Sequence, residues 1–222
     1  MVLRGAREAT TEGARLALSD AAARIAEVLG RISECRSLDE LRGAEGEAAR
    51  TYFGVFGYHV RGDQEAFAMD GRTRRPPRDR VNAVLSFLYA LLRAECAAGL
   101  ESVGLDPQVG FLHALRPGRP ALALDLMEEF RPIIADRLAL TLINRKQVQS
   151  DHFVNLPGGA VHLNDDGRRV VLQAYQQRKE GEVSHRMLDQ KIPLGLVPYV
   201  QARLLARHLR GDLEEYPPYL SR

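Results

Sequence analysis

Residues 79–100 form the most apolar stretch of this chain. A helix drawn through them carries large apolar side chains on nearly every side, namely Val81, Val84, Leu85, Phe87, Leu88, Tyr89, Leu91 and Leu92. A helix that is apolar all round lies inside a larger protein or spans a membrane. No segment of the chain approaches the ~20 uninterrupted apolar residues of a membrane span. The stretch therefore predicts a central, buried helix, and we expect no membrane partner.

Helical patterns dominate the rest of the chain, which predicts an all-α fold. The patterns indicate helices over 6–31, from Ser37 toward Phe56, over 165–182 and over 193–213. They indicate one or two helices over 122–149, which Pro132 would kink or divide. Ser37 and Glu40 have the spacing of a capping box at a helix start. Strand–helix alternation, phosphate-binding glycine loops and zinc-ligand spacing are absent, so a nucleotide-binding α/β sheet is disfavoured.

One short β-hairpin is expected near 152–164. Two apolar runs, 153–156 and 160–163, flank Pro157-Gly158-Gly159, and glycines between such runs are typical of a hairpin turn. The tail from Glu214 contains Pro217 and Pro218, and we expect it to fray.

The composition is that of a globular protein in a reducing compartment. The chain has 45% hydrophobic and 27% charged residues, and only two cysteines, Cys35 and Cys96. Residues 1–20 lack the apolar core of a secretory signal, so we expect a cytoplasmic protein. Of 31 cationic residues only Lys146, Lys179 and Lys191 are lysines. The arginine bias fits phosphate binding, but a GC-rich genome would produce the same bias.

Glu45 is the first candidate for chemistry. Gly43 and Gly46 flank it within a predicted helix, where each glycine costs about 1 kcal/mol relative to alanine. Such glycines let a ligand or another backbone approach closely. The other interpretation is a surface carboxylate on a mediocre helix.

His113 and the acidic group at 125–129 are the other candidates. His113 ends an apolar turn, where a hydrogen-bonded core histidine is the alternative to a ligand. Asp125 neighbours Glu128 and Glu129 on one helix face, and apolar neighbours press this helix into the core. A buried carboxylate is destabilising unless another group compensates its charge. A metal ion, Arg131 or solvent could do so, and solvent is the simplest interpretation for Glu129.

Two carboxylates and one imidazole from separate segments suit a hard divalent cation. Oxygen ligands favour Mg²⁺, and an added imidazole makes Mn²⁺ equally suitable. Such a site polarises a phosphodiester and activates water or a 3′-hydroxyl for in-line attack.

Four ordered motifs resemble the CRISPR-associated integrases of the Cas-one family. They are Leu41-Arg42-Gly43-x-Glu45-Gly46-x-Ala48-Ala49-Arg50-x-Tyr52-Phe53, the block from Arg75-Pro76-Pro77 through Leu92, Gly104-Leu105-Asp106-Pro107-x-Val109-Gly110-Phe111-Leu112-His113, and Arg116-Pro117-Gly118-Arg119 leading to 124–132. The resemblance runs from about residue 37 to the end. It implies a helical catalytic domain that acts in antiviral defence by inserting spacers into CRISPR arrays.

The resemblance also implies site residues. It assigns the metal ligands to Glu45, His113 and Glu128, with Asp125 as a neighbouring catalytic acid and Asn82 and Tyr89 close to the site. The alternative for Asn82 and Tyr89 is that they are core residues whose polar groups are hydrogen-bonded within the protein. Arginines near these motifs would bind the DNA backbone, namely Arg72, Arg74, Arg75, Arg78, Arg80, Arg116 and Arg119. A flexible charged loop is the alternative for residues 71–80.

The implied reaction is metal-dependent DNA strand transfer. In the family, the 3′-hydroxyl of a captured DNA fragment attacks a repeat phosphodiester, a transesterification with Mg²⁺ or Mn²⁺ as cofactor. The implied partners are double-stranded and branched DNA, a second copy of the chain as a homodimer, and the partner protein Cas-two.

One departure from the family is that residues 1–36 have no strand pattern. The family carries an N-terminal β domain ahead of the helical one. We expect residues 1–36 to be a helix or linker remnant and 37–222 to be the nuclease domain of a truncated, split or fragmentary product. The alternatives are a catalytically impaired DNA-binding or scaffold fragment, and a helical regulator, for which no clean helix-turn-helix is found.

Overall fold

The structure is a computed structural model that describes residues 1–220, and its mainly helical fold confirms the predicted class. The helices are α1 (Val2–Glu8), α2 (Glu12–Arg31), α3 (Leu38–Gly54), α4 (Arg80–Glu101), α5 (Ala121–Met127), α6 (Arg137–Asn144), α7 (Asp165–Glu180) and α8 (Val197–Leu209). The strands are β1 (Phe153–Leu156), β2 (Ala160–Leu163), β3 (Glu182–His185) and β4 (Gln190–Pro193), paired as two antiparallel hairpins.

The chain forms two compact units. One consists of Met1–Val84 and Leu140–Arg168, and the other of Leu85–Ala139 and the described residues from Arg169 onward. The predicted boundary between 1–36 and 37–222 stays a prediction.

In the first unit, the three N-terminal helices pack in sequence order, α1 on α2 and α2 on α3. Val2 and Ala6 of α1 are buried with Leu18 and Ala21 of α2. The prediction of one helix over 6–31 is wrong at residues 9–11. There Thr11 caps α2 by accepting the Ala14 backbone N–H at 3.3 Å, which starts a new helix.

The predicted helix start at Ser37 is confirmed. The Ser37 hydroxyl accepts the Glu40 backbone N–H at 3.2 Å, and the Glu40 carboxylate accepts the backbone N–H of Arg36 at 2.8 Å. The carboxylate thus satisfies a donor one residue earlier than the capping box predicts. Helix α3, which carries Glu45, is fixed in register by this cap.

The predicted central helix is present as α4. Val81, Leu85, Leu88 and Leu92 in this helix have no exposed surface. By length and composition alone α4 could cross a membrane, so the expectation that no segment approaches a span is wrong on that measure. Core helices of soluble proteins pass the same test.

In the second unit, the segment before α6 departs from α-helix. Residues Arg131–Asp136 form a π-helical stretch between α5 and α6, with Pro132 in its first turn. Proline lacks a backbone N–H and disturbs helical pairing. Of the two predicted alternatives, a kink or a division at Pro132, the structure shows a division into two α-helices. Helix α5 packs against α8, which holds the acidic group at 125–129 in place.

The hairpin near 152–164 is confirmed, but a second hairpin was not predicted. Gly158 and Gly159 adopt φ values of +83° and +77° in the first turn. In the second hairpin, β3 and β4 are joined by 186–189, where Asp189 takes a φ of 49° without any glycine. Asp tolerates this left-handed region better than most residues, so the turn left no glycine signal.

The tail is ordered where we expected fraying. Tyr219 is only 9% exposed, and its backbone N–H donates to Glu129 at 2.6 Å. The expectation is therefore wrong for residues 216–219, which the sequence could not connect to a carboxylate some 90 positions earlier.

Candidate metal centre

Asp125, near the end of α5, organises the loop that carries His113. Its Oδ2 accepts the backbone N–H groups of Phe111 at 2.6 Å and Leu112 at 3.1 Å. Its Oδ1 accepts the His113 backbone N–H at 2.9 Å and lies 2.7 Å from His113 Nδ1. One carboxylate therefore fixes both the loop backbone and the imidazole.

The surroundings of Asp125 favour its charged form. Burial by itself would raise the pKa of Asp125, but hydrogen bonds from the His113 ring and the three backbone N–H groups lower it below its ordinary value. An ionised Asp125 accepts a hydrogen bond from Nδ1–H, and in that tautomer Nε2 is the ring nitrogen available to a metal. A carboxylate behind a histidine in this way is the usual support for a metal-binding imidazole.

Gly110 allows this loop to approach α5. A Cβ added at Gly110 would lie 2.7 Å from the Ala121 carbonyl carbon and 2.7 Å from Asp125 Oδ2. Any side chain here would push the loop away from Asp125. Glycine is therefore required by close approach, a reason that its place in a motif does not reveal.

Glu128 is held by a different partner. Nη1 of Arg131 donates to both Glu128 carboxylate oxygens, at 2.6 and 2.7 Å. The Arg131 guanidinium in turn lies 4.6 Å from the centre of the Tyr89 ring, and the Tyr89 hydroxyl donates to Asp136 at 2.5 Å. Tyr89 thus acts on Glu128 through Arg131, within the second unit.

Glu129 has a different set of partners and is not a solvated surface carboxylate. It accepts from the Tyr216 hydroxyl at 2.5 Å, from Gln201 at 3.0 Å and from the Tyr219 backbone. Burial raises the pKa of Glu129 despite these hydrogen bonds. Its task is to anchor the tail, and the expectation of solvent exposure was wrong because the tail covers it.

Glu45 lies on α3 and is half-buried. A Cβ at Gly43 would meet no protein atom within 4 Å, and one at Gly46 would meet only the Arg50 side chain at 3.7 Å. No backbone packs against these two glycines among residues 1–220, so close packing of the protein does not explain them.

The three residues that the resemblance assigns to a metal have their ligand atoms close together. One ligand atom from each of Glu45, His113 and Glu128 lies within 4.8 Å of the other two, and all three residues are half-buried. An imidazole and two carboxylates at this spacing could hold a metal ion. The assignment of these residues as ligands stays a prediction.

The arginine-rich segment 71–80 is held by Asn82. This fully buried amide donates to the Gly71 carbonyl at 2.9 Å and accepts from Arg72 at 2.6 Å and from the Thr73 backbone at 3.2 Å. It also donates to Asp79 at 2.5 Å. Asn82 is thus a loop-holding residue, and no described contact in its own unit joins it to a predicted ligand.

The predicted DNA-binding arginines fall into two groups. Arg72 and Arg80 are half-buried and donate to protein acceptors, Arg80 to the Ala66 carbonyl at 2.8 Å. The guanidiniums of both also lie about 6 Å from phenylalanine rings. By contrast Arg74, Arg75, Arg78 and Arg116 are exposed, and Arg119 is half-buried. The exposed arginines are the better candidates for contacts with phosphate groups.

Comparison with known proteins gives consistent matches. The family model for CRISPR associated protein Cas1 matches residues 1–177. The CRISPR-associated endonuclease Cas1 1 of Moorella thermoacetica is 58% identical over 222 residues, which is 100% of this chain and 65% of that protein. The chain therefore spans less than two thirds of that curated relative.

Solved structures give the same fold. A casposase bound to integration product matches with a TM-score of 0.79 and 29% identity, over 87% of this chain and 55% of that one. A partial Cas6-RT-Cas1–Cas2 complex matches with a TM-score of 0.78 and 25% identity, over 97% of this chain and 62% of that one. The extent of the family match and the identity to the Moorella protein establish that this chain belongs to the CRISPR associated protein Cas1 family.

Proposed function

We propose that this chain is a metal-dependent DNA endonuclease and integrase of CRISPR adaptation. In this proposal it joins the 3′-hydroxyl ends of captured DNA fragments to a CRISPR repeat by transesterification. The observation that carries the proposal is the grouping of Glu45, His113 and Glu128, whose ligand atoms lie within 4.8 Å of one another in a Cas1-family chain. The casposase relative, solved with its integration product, supports strand transfer as the chemistry.

The donor set fits Mg²⁺ or Mn²⁺. Two carboxylates and one imidazole are ligands that both ions accept, and Mn²⁺ takes the nitrogen more readily. Glu45, His113 and Glu128 would hold the ion. When bound, it would supply Lewis-acid polarisation of a phosphodiester and lower the pKa of a water or 3′-hydroxyl nucleophile.

The residues around these ligands prepare them for that task. Asp125 keeps the His113 ring in the tautomer whose Nε2 is free to bind a metal. Arg131 compensates the charge of Glu128, and each carboxylate oxygen keeps a further lone pair beyond the one that Arg131 uses. Because Arg131 is itself stacked on Tyr89, the carboxylate has a fixed orientation before any ion binds.

Exposed arginines would position the DNA backbone. Arg74, Arg75 and Arg78 on one loop, and Arg116 beside His113, present positive charge to solvent. Guanidinium groups bind phosphate in a bidentate manner. We assign double-stranded and branched DNA as substrates, with these arginines binding without regard to sequence.

The same proposal includes protein partners. We assign a second copy of the chain and a Cas2 protein, supported by the similarity to the partial complex that contains Cas1 and Cas2. Because the chain spans only part of its relatives, these partners are to be tested with this chain itself.

A cleavage assay on branched DNA tests the function. Purified chain with Mn²⁺ is expected to cut or join a labelled Y-shaped DNA. Glu45→Ala, His113→Ala and Glu128→Ala should each lower the rate by at least about 100-fold, because loss of a direct ligand exceeds the 10–100-fold effect of an outer-shell change. Glu47→Ala, two residues along α3 and exposed, is the matched control and should keep activity.

Calorimetric Mn²⁺ titration separates the outcomes. The three ligand variants should lose affinity, while the control retains it. If the wild-type chain leaves branched DNA intact and the variants bind Mn²⁺ like the wild type, the enzyme proposal is wrong. Salt-sensitive DNA binding without cleavage would instead favour an impaired DNA-binding or scaffold fragment.

A further inference from the structure

A second basic site lies in the second unit, apart from the predicted metal ligands. The β3–β4 hairpin and the segment around Ile133 enclose a cavity of about 630 Å³. None of the predicted ligands or DNA-binding arginines lines it. Four cationic side chains do, namely Arg137, Arg178, Arg186 and Lys191, and Asp189 is the one carboxylate among the lining residues described.

Two of these cations, Arg137 and Arg178, lie close enough for their charges to repel each other. Burial lowers the pKa of Arg178, and the neighbouring charge of Arg137 lowers it further. A carbonyl partner, that of Ile133, accepts from the Arg178 guanidinium at 3.1 Å, so the chain orients this cation without neutralising it. Like charges held together are destabilising unless an anion binds between them. The groove is therefore complementary to an anion with several charges.

Part of the groove's lining is apolar and aromatic. Ile133, Leu194 and Tyr219 line it together with the cations. His185, only 3% exposed, also lines it, and the structure gives its buried Nδ1 no partner while Nε2 faces Gln201 at 3.0 Å. A site that combines cations with aromatic and apolar lining suits a chain of phosphates that carries bases.

We propose that this groove binds the phosphate backbone of a single DNA strand. Arg186, in the hairpin turn, and Lys191, on β4, supply two contacts, and Arg137 and Arg178 supply two more. All four of these residues are exposed. A duplex presents its bases inward, so it would use the cations but not the apolar lining. The assignment rests on the proposed function only in taking DNA as the polyanion.

Binding without metal tests this groove separately from the catalytic proposal. Full chain in EDTA is titrated into a fluorescein-labelled single-stranded oligonucleotide and, in parallel, into a duplex of the same sequence, with anisotropy as readout. The double variant Arg186→Ala/Lys191→Ala removes two exposed cations from the groove. The double variant Arg203→Ala/Arg207→Ala, on the exposed face of α8 and outside the groove, is the matched control.

The groove variant should bind the single strand about tenfold more weakly at 0.1 M salt. Its slope of log affinity against log salt should be shallower by about 1.4, since each phosphate contact on a single strand contributes about 0.7. The α8 control should bind like the wild type, and duplex affinity should change less than single-strand affinity. Both variants should show the wild-type unfolding transition, because the replaced side chains are exposed.

Three results would overturn the assignment. The first is wild-type chain that does not bind the single strand in EDTA, and the second is a groove variant with unchanged affinity and salt slope. The third is an equal loss for single strand and duplex, which would leave only a nonspecific basic surface. If the chain binds the single strand through the groove but cuts nothing with Mn²⁺, the catalytic proposal fails and the groove stands.

Discussion

Two loops carry most of the residues that are predicted to act on DNA, and in each of them one polar side chain collects several hydrogen bonds. Residues 110–119 carry His113 and are tied to the carboxylate of Asp125. Residues 71–80 carry the arginine cluster and are tied to the amide of Asn82. The anchoring side chain of the first loop, Asp125, is charged, and that of the second loop, Asn82, is neutral.

The difference in charge has consequences for the neighbouring groups. Asp125 receives only donors, one of them the imidazole, and its pKa is lowered. Asn82 both donates and accepts, so it can join the Gly71 carbonyl and the Asp79 carboxylate to the Arg72 guanidinium. A carboxylate suits a site whose histidine must keep one tautomer. An amide suits a loop whose anchoring contacts have both polarities.

Among the changes that test the contrast between the two loops, Asp125→Asn has the largest expected effect. The new amide NH₂ would face backbone N–H groups or the imidazole N–H, so at least one donor would lose its acceptor. We expect Mn²⁺ affinity to fall 10–100-fold, as for other supporting residues of metal-binding histidines. Isothermal titration with Mn²⁺ measures this.

Asp106→Asn is the control for that change. Asp106 lies earlier in the same connection, is exposed, and accepts one backbone N–H, that of Gln108 at 2.9 Å. It should leave Mn²⁺ affinity within about twofold of the wild type. An equal loss in both variants would show that the Asp125 pairing has no special role.

The second expected effect follows from Asn82→Ala. It removes a fully buried amide with four described hydrogen-bonding partners, so we expect a loss of about 3 kcal/mol in the free energy of unfolding. DNA affinity should fall because the loop with Arg74, Arg75 and Arg78 loses its anchor. Urea unfolding and DNA anisotropy measure the two quantities.

Mn²⁺ affinity distinguishes the two loops in that variant. It should be unchanged in Asn82→Ala if this amide serves only the arginine loop. A fall in Mn²⁺ affinity as large as that in Asp125→Asn would mean that both Asp125 and Asn82 support the predicted metal centre. Asn155→Ala, at an exposed position on β1, is the control for a simple loss of an amide.

The sequence could predict the elements around these loops but not the hydrogen bonds of Asp125 and Asn82 that hold them. Helix α4 was predicted over 79–100 and is found at Arg80–Glu101, since a long apolar pattern leaves few alternatives. The first hairpin was likewise marked by Pro157-Gly158-Gly159. The second hairpin was missed because its turn relies on Asp189 and carries no glycine.

Tertiary hydrogen bonds have no periodic signature. Asp125 was named as an acidic neighbour of the site, yet nothing in the pattern indicated that it collects three backbone N–H groups and an imidazole. Glu129 has similar neighbours in sequence, but its partners Tyr216 and Tyr219 lie almost ninety positions away. The two carboxylates could therefore be separated only by the fold.

The smallest expected effect is a pH dependence of stability at Asp79, which is hydrogen-bonded to the anchoring side chain of Asn82. Burial raises the pKa of Asp79, although hydrogen bonds from Asn82 and the nearby charge of Arg72 oppose this. A carboxyl with a raised pKa binds more protons in the folded than in the unfolded state over the window between its ordinary and its raised value. In that window its contribution to stability falls as pH rises.

Asp79→Asn should remove this dependence while keeping the acceptor that caps α4, since asparagine caps as well as aspartate. Urea unfolding in EDTA from pH 4 upward should show the wild type losing stability relative to the variant, then a constant difference once Asp79 is ionised in both states. Exposed Asp20→Asn should show no such trend. If the wild type instead gained stability relative to Asp79→Asn as pH rises, the pKa of Asp79 in the folded state would be lowered. The amide of Asn82 would then stabilise the charged carboxylate as effectively as the donors around Asp125 do, and the contrast between the two loops would disappear.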